Sequence, residues 1–178
     1  FNKNLNYIKQ ARLSNNEPVP TIEETLNLIN GRVPVLLEIK YSKLIKKNME
    51  IFTKVLAEKL ENYKGPLALM SFSTDLMKHI SKSNLFKNFP LGLTTSFPKR
   101  ETLANNNKNN KIESEIISNK LQFISQDWKG IKSSRIKRLK KLDIAILSWT
   151  ITSKEIEEGL EDLVDNITFE SYEPDLRK

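Results

Sequence analysis

The chain has 178 residues and a mass of 20.6 kDa, which is enough for one domain with its own hydrophobic core. It contains no cysteine and one histidine, His79, which excludes disulfides, thiolate metal sites and zinc sites built from several histidines. The net charge of 29 − 22 = +7 suits anionic partners, such as phosphate esters, nucleic acid or an anionic membrane surface. The abundance of Lys and Asn is better explained by the codon bias of an AT-rich gene, with the lysines simply solvated. No run approaches the roughly 20 apolar residues of a transmembrane helix.

Helix signals and an apolar run alternate along the first part of the chain. After a polar stretch over 1–17 and a proline break, Thr21 and Glu24 predict a capping box that opens a helix. That helix is expected to end at Asn30 and Gly31, where a left-handed backbone is easily adopted. The nearly continuous apolar run 33–40 predicts a strand buried on both faces, as in parallel sheets. A helix over 46–63 is expected to follow it.

The same cycle repeats to the end of the chain. Apolar runs predict strands over 67–72, 91–95, 121–125, 144–150 and 166–170. Helices are expected between them, capped by Ser73, by Ser133 or Ser134, and by Ser153, with a further helix over 112–120. The Asn-rich segment 104–111 predicts a mobile low-complexity loop.

Six strands that alternate with helices predict a single α/β domain over 1–178 with a parallel sheet. Either an open doubly wound sheet or a (β/α)8 TIM-type barrel fits this order, and no glycine-rich phosphate loop follows any strand. A typical barrel has about 250 residues, about 70 more than this chain. Because the first residue is Phe rather than Met, we expect a partial barrel of about six strand–helix units, whose first two strands are absent.

Polar residues that follow the predicted strands are the candidates for a site, because sites in parallel sheets form at the carboxyl ends of strands. Glu38 and Lys40 are the informative pair, since residues two apart on a strand point to the same side. A carboxylate suits Mg²⁺ or Ca²⁺, and an ammonium neutralises a phosphoryl oxygen. Trp149 could line a substrate pocket. The other polar strand-end residues are Ser71, Gln126, Asp127 and Glu170.

Each candidate also has a purely structural explanation. Glu38 and Lys40 could be a buried ion pair, or the end of a strand running into solvent, and Trp149 could belong to the core. His79 lies in the middle of a predicted helix, so we expect a surface or packing role for it. The basic helix 135–141 is expected to be a solvated face, because no aromatic residues are interleaved to stack on bases.

Four pieces, the first made of two segments, resemble glycerophosphodiester phosphodiesterases in the right order and spacing over residues 15–175. Segments 18–26 (PVPTIEETL) and 33–40 (VPVLLEIK) resemble the family's "iPTLeEvL … vPlliEiK". Segments 69–73 (LMSFS) and 146–151 (ILSWTI) resemble its "v-x-S-F" and "v-x-v-W-T-v" strands. Segment 165–170 (DNITFE), followed by Pro174, resembles a variant of its closing strand.

The resemblance implies a (β/α)8 barrel that hydrolyses glycerophosphodiesters to an alcohol and glycerol 3-phosphate with a divalent cation, Mg²⁺ or Ca²⁺. It implies that Glu38 is a metal ligand and that Lys40 is a catalytic residue beside the phosphate. Phe72 and Trp149 are implied as substrate-binding residues. The expected partner is a small-molecule phosphodiester, with no nucleic acid and no transmembrane segment.

The family's first two strands have no counterpart in this sequence. They carry an "H-R-G" histidine, an "E-x-D" pair of metal ligands and a second histidine in "H-D", and His79 lies in a different context. We therefore expect an enzyme of which this chain is the C-terminal three-quarters, inactive by itself and cytoplasmic. The alternatives are a short non-catalytic relative that binds phosphorylated ligands or anionic surfaces, and an unrelated basic nucleic-acid-binding α/β domain.

Overall fold

A computed structural model describes residues 4–96 and 103–174, with the backbone alone over 103–110. The described residues group into two compact units. One comprises the residues up to Val35 together with Ser42–Leu67, and the other comprises Leu36–Tyr41 and the residues from Ala68 onward. The expectation of one domain over the whole chain therefore stays a prediction.

Eight α-helices and six strands lie within the described residues. The helices are α1 (Leu5–Lys9), α2 (Ile22–Ile29), α3 (Lys43–Lys47), α4 (Met49–Leu60), α5 (Thr74–Ser81), α6 (Leu103–Ser118), α7 (Ser134–Lys141) and α8 (Lys154–Glu158). The strands are β1 (Val35–Glu38), β2 (Leu67–Ser71), β3 (Leu91–Thr95), β4 (Phe123–Asp127), β5 (Ala145–Ile151) and β6 (Asn166–Phe169). Short 3-10 helices span Asn84–Phe86 and Trp128–Gly130. None of the helices in the described ranges is long and apolar enough to cross a membrane.

The strands form one sheet in the order β1-β2-β3-β4-β5-β6, and the pairs from β2 to β6 are parallel. A doubly wound sheet reverses its strand order at a switch point, whereas this order runs straight through the chain. Parallel neighbours joined by helices in sequence order are the topology of a (β/α)8 barrel. The predicted partial barrel is confirmed, and the doubly wound alternative is excluded.

The two faces of the sheet differ in what covers them. Leu93, Ile124 and Ile146 are at most 1% exposed and share one face by strand alternation. Gln126 lies on that same face and accepts a hydrogen bond from Arg135 of α7, so this is the helix-covered face. The opposite face, called the inner face below, carries Gly92 and its register partner Phe123. A side chain at Gly92 would collide with the Phe123 ring, which shows that the two share this face.

Local signals in the sequence set several helix ends correctly. Thr21 accepts a hydrogen bond from the Glu24 backbone N–H, and the Glu24 carboxylate accepts from the Thr21 N–H, so the predicted capping box is present. The helix ends at Asn30, whose φ of 48° is left-handed. Ser73 caps α5 by accepting from the Leu76 N–H.

Three predicted elements differ from the structure. The helix expected over 46–63 is broken at Asn48 into α3 and α4, and Ile51 and Val55 of its apolar stripe are 67% and 45% exposed. Strand β1 is half-buried rather than buried on both faces, because it forms one edge of the sheet. Strand β4 begins at Phe123, two residues later than expected, since Lys120 adopts a left-handed backbone just before it.

The segment 104–111 also differs from its prediction. It lies within helix α6, which begins at Leu103, rather than in a loop. Asparagine has a modest helix propensity, so composition favoured a loop, but propensity is a weak guide to a segment of this length. Its mobility stays a prediction.

Candidate functional site

Glu38 and Lys40 form an ion pair where β1 ends. The Lys40 Nζ lies 2.5 Å from the Glu38 Oε1. The Glu38 side chain is 24% exposed and that of Lys40 is 78% exposed, so the carboxylate is sheltered while the ammonium faces solvent. The Lys40 ammonium therefore remains accessible to a ligand although it is paired with Glu38.

Two aromatic side chains extend the pair into a continuous cluster. The Lys40 Nζ lies 5.7 Å from the centre of the Phe72 ring, a distance suited to a cation–π contact. The Phe72 and Trp149 rings meet edge to face, with centroids 5.4 Å apart and planes at 84°. The Trp149 Nε1 donates a hydrogen bond of 3.0 Å to the Ser125 carbonyl oxygen, which fixes the indole. The structure thus brings together the four residues to which the resemblance assigns roles: Glu38, Lys40, Phe72 and Trp149.

A cavity of about 400 Å³ opens beside this cluster. Its lining residues come from the end of β1 and the start of α5: Glu38, Ile39, Lys40, Tyr41, Phe72, Ser73 and Thr74. Ser71 holds these two segments together, because its Oγ donates a 2.7 Å hydrogen bond to the Ile39 carbonyl oxygen. The cavity combines a charged wall, an aromatic wall and a helix start, a combination suited to a small charged ligand.

The other polar strand-end residues have structural partners. Gln126 lies on the helix-covered face and accepts a 2.7 Å hydrogen bond from the Thr95 hydroxyl as well as the one from Arg135. Asp127 accepts a 3.0 Å hydrogen bond from the Lys129 N–H and caps the 3-10 helix. Glu170 is exposed, and its N–H donates 3.0 Å to the Ile151 carbonyl oxygen. None of these three joins the described cluster.

His79 lies near the end of α5, six residues beyond Ser73. Each helical residue advances about 1.5 Å, so His79 lies about 9 Å further along the helix than the end that meets the site. Its partly buried position agrees with a packing or surface role.

The carboxylates of the described residues do not assemble a metal site. No group of three or more His, Asp or Glu side chains converges anywhere in 4–96 or 103–174 outside the side chains of 103–110. Glu38 offers one hard oxygen ligand, whereas Mg²⁺ and Ca²⁺ need several. These residues alone therefore do not fit a complete cation site.

Several basic side chains of helix α7 form hydrogen bonds or ion pairs within the protein. Arg138 donates to both carboxylate oxygens of Glu113, and this contact holds the pKa of Glu113 below its usual range. Lys140 donates to the Asp162 carbonyl oxygen at 2.9 Å. Burial lowers the pKa of Arg135. These contacts favour a structural role for α7 over nucleic-acid binding.

Sequence reasoning missed three residues at or near the cluster. The Tyr41 hydroxyl is buried beside the cavity without a hydrogen-bond partner. Thr94 and Ser125, on β3 and β4, also carry buried hydroxyls without partners. The signal that could have found Thr94 and Ser125 is a polar residue in the middle of an otherwise apolar strand.

The sequence matches no protein-family model and no curated protein. Solved structures of glycerophosphodiester phosphodiesterases share its fold. One from Parabacteroides distasonis is 18% identical with a TM-score of 0.73, and the match covers 93% of this chain and 66% of that one. One from Thermotoga maritima is 17% identical with a TM-score of 0.60, covering 85% and 60%.

A third similar structure is that of an Oleispira antarctica phosphodiesterase in complex with its product sn-glycerol 3-phosphate. It is 15% identical with a TM-score of 0.67, and the match covers 85% of this chain and 57% of that one. The chain thus spans less than two thirds of the length of each of these structures. At these identities the comparisons establish the fold, and the expected resemblance is confirmed at that level.

Proposed function

We propose that this chain forms part of a glycerophosphodiester phosphodiesterase, in which the cluster of Glu38, Lys40, Phe72 and Trp149 binds the substrate. The observation that carries the proposal is the placement of an exposed ammonium between a carboxylate and an aromatic wall, where β1 ends. The fold shared with solved phosphodiesterases supports it.

Lys40 supplies positive charge at the reacting group. Attack on a phosphodiester builds negative charge on the non-bridging oxygens, and a fixed ammonium stabilises that charge more in the transition state than in the ground state. Glu38 holds the Lys40 Nζ at 2.5 Å and so limits the positions that the flexible side chain can take. Lys40 is thus the proposed catalytic residue, and Glu38 orients it.

Phe72 and Trp149 form an apolar wall beside the charge. A carbon chain esterified to the phosphate would lie against these rings and exclude water from the bond that breaks. The edge-to-face contact at 84° and the indole hydrogen bond to the Ser125 carbonyl hold this wall in place.

A divalent cation would add charge neutralisation at the phosphate. Glu38 is the one carboxylate of the cluster that could contribute an oxygen ligand. Because Mg²⁺ and Ca²⁺ need several oxygen ligands, the others would come from parts of the enzyme outside the cluster. General acid–base catalysis likewise needs groups other than His79, given its position along α5. The chain alone is therefore proposed to bind the substrate without hydrolysing it, and a cytoplasmic location stays a prediction.

The test is hydrolysis of glycerophosphocholine and glycerophosphoethanolamine by the full-length product of the gene, with Mg²⁺ or Ca²⁺, followed as release of glycerol 3-phosphate. Lys40→Met should lower kcat by about 10²- to 10³-fold, the loss typical of removing one oxyanion-stabilising group. Lys87→Met is the matched control, because Lys87 is exposed and precedes β3 at the amino-terminal edge of the sheet. A Lys40→Met enzyme as active as the Lys87→Met enzyme would overturn the proposal.

A further inference from the structure

Helix α4 carries two apolar residues on the side that a helix ordinarily turns to solvent. Its buried residues, Thr53, Leu56 and Leu60, mark the side that packs against the protein. Successive residues of an α-helix are about 100° apart, so Ile51 and Val55 point to the opposite side. They are 67% and 45% exposed. Single exposed apolar residues are common, but two that lie one turn apart on the outermost side of a helix form a continuous apolar strip.

Lysines and one further apolar residue lie next to this strip. Leu44 of α3 is 48% exposed. The exposed lysines of the two helices are Lys43, Lys46, Lys47 and Lys54, and none of them forms an ion pair with another described residue. Segment 43–60 has five Lys and two Glu, so 5 − 2 = +3 of the chain's +7 lies in this short segment. We call these three apolar residues and four lysines the α3–α4 surface.

Helix α7 is also basic but lacks the apolar component. Its apolar residues, Ile136 and Leu139, are 3% and 0% exposed, so its apolar side is covered. Its lysines Lys137 and Lys141 are exposed and meet only solvent along their helix. Exposed aliphatic side chains among lysines therefore distinguish the α3–α4 surface from α7.

This combination of side chains selects among the anionic partners that a basic surface can attract. Nucleic acids offer phosphates to lysine but gain little from aliphatic side chains, since proteins hold unpaired bases with aromatic ones. A second copy of the chain would bring the same lysines against these, and like charges repel. A bilayer with anionic headgroups accommodates both components. Lysines meet the headgroups, and aliphatic side chains enter the boundary between headgroups and acyl chains.

We infer that the α3–α4 surface docks the chain on an anionic lipid bilayer, with α4 lying in the plane of the interface. Ile51 and Val55 enter the boundary region, and the lysines contact the headgroups. The inference does not depend on the proposed function, because the α3–α4 surface and the proposed substrate cluster belong to different compact units. Failure of glycerophosphodiester hydrolysis would leave a vesicle-binding result standing.

The binding test is flotation of the 178-residue chain with vesicles of phosphatidylcholine alone, or of phosphatidylcholine with about one-third phosphatidylglycerol. We expect the mixed vesicles to bind about tenfold or more tightly, because each lysine near an anionic surface contributes about fivefold to the partition coefficient. High salt should weaken this binding, since it screens exposed charges. Equal binding to the two kinds of vesicle, or no binding to either, would overturn the inference.

Two double variants separate the apolar component from the basic one. Ile51→Gln/Val55→Gln should weaken binding to the mixed vesicles by about tenfold or more, because the aliphatic area that enters the boundary is lost. Lys46→Gln/Lys47→Gln should weaken it by about 25-fold, which is fivefold for each lysine. Unchanged binding by the Ile51→Gln/Val55→Gln chain would show that charge alone attracts the vesicles, and the inference would fail.

Lys137→Gln/Lys141→Gln on α7 is the matched control, because it removes the same charge from two exposed lysines of a helix without an apolar strip. Its binding to the mixed vesicles should stay close to that of the wild-type chain. A loss as large as that of Lys46→Gln/Lys47→Gln would show attraction by net charge rather than docking of one surface, and would also overturn the inference.

Thermal unfolding distinguishes docking from a structural role of the strip. Because Ile51 and Val55 are exposed, Ile51→Gln/Val55→Gln should leave Tm unchanged. Leu60→Ala, at a residue of the same helix that is 0% exposed, should lower Tm. If the double variant lowers Tm as much as Leu60→Ala does, the strip serves the fold and the inference is wrong.

A site-specific label tests which side of the chain meets the bilayer. The chain contains no cysteine, so Val55→Cys and Lys137→Cys each provide one labelling site. An environment-sensitive fluorophore should shift to the blue on mixed vesicles when it is attached in Val55→Cys, and should not shift in Lys137→Cys. The reverse pattern would contradict the inference. Tighter binding to a poly-dT oligonucleotide than to the mixed vesicles, or a dimer that Ile51→Gln/Val55→Gln dissociates, would assign the surface to another partner and overturn it.

Discussion

The ammonium of Lys40 lies 2.5 Å from the sheltered carboxylate oxygen of Glu38. One carboxylate thus balances the charge that the proposal assigns to phosphate. Removing the Glu38 carboxylate is expected to strengthen phosphate binding by the isolated chain and to abolish hydrolysis by the full enzyme. The pair therefore offers a direct test of the proposal.

Glu38→Gln should tighten the binding of inorganic phosphate to the 178-residue chain. The Glu38 carboxylate no longer competes with phosphate for the Lys40 ammonium. Two unit charges about 4 Å apart in water interact by about 1 kcal/mol, so the Kd for phosphate should fall roughly fivefold. In the full-length gene product the same variant should lose metal-dependent hydrolysis. Glu170→Gln, an exposed residue just beyond β6, is the control for the change in net charge. Weaker phosphate binding by Glu38→Gln, measured by NMR titration, would contradict the account.

Ser71→Ala should destabilise the fold where the site is built. The Ser71 hydroxyl donates 2.7 Å to the Ile39 carbonyl oxygen and accepts from the Ser73 N–H, so its removal takes a partner from one buried and one part-buried backbone group. We expect a loss of about 1–3 kcal/mol in the free energy of unfolding by urea. Ser81→Ala, which removes an exposed hydroxyl of α5, should cost less than about 0.5 kcal/mol. Equal losses would refute the structural role of Ser71.

Thr21→Ala should destabilise by about 1 kcal/mol, because it removes the capping hydrogen bond at the start of α2. Ser133 occupies the same position before α7, but its side chain makes no capping hydrogen bond. Ser133→Ala should therefore change the free energy of unfolding little. Urea unfolding of both variants checks this difference, and a larger loss for Ser133→Ala would be inconsistent with it.

The Glu113–Arg138 pair should make stability depend on pH in the acid range. Arg138 lowers the pKa of Glu113 in the folded chain, so the stabilisation is present above the carboxyl's unfolded pKa. It is lost as pH falls through the lowered, folded-state pKa. Arg138 is 46% exposed, so solvent screens the pair and its contribution to stability should be small.

The measurement is the difference in unfolding free energy between wild type and Arg138→Met at a series of pH values. That difference should be largest near neutral pH and shrink as pH falls below 4.5, the ordinary pKa of a glutamate carboxyl. Lys137→Met, one residue away on α7, should show no such trend. A difference that grows on acidification would contradict the assigned pairing.

Several parts of the fold could be predicted because short-range chemistry determines them. The capping box at Thr21 and Glu24 and the left-handed end at Asn30 depend only on neighbouring residues, and the structure contains both. The strand predicted over 91–95 from its apolar run has the observed bounds. The sequential parallel sheet followed from the alternation of strands and helices.

Other features depend on contacts that sequence patterns do not reveal. Ile51 and Val55 have the spacing of a buried stripe but are exposed, because burial depends on what covers a helix face. Glu38 and Lys40 could be paired from their spacing, whereas the contact of Lys40 with Phe72 depends on how β1 and β2 align. The buried hydroxyls of Thr94 and Ser125 become notable only once the register of β3 and β4 is known.

The most direct test of the central claim is to map where inorganic phosphate binds on the 178-residue chain by ¹⁵N–¹H NMR. The account predicts shifts concentrated at Lys40, Tyr41, Phe72 and Ser73 around the cavity, and their loss in Lys40→Met. Shifts concentrated on the exposed basic residues of α7, such as Lys137 and Lys141, or unchanged shifts in Lys40→Met, would contradict it.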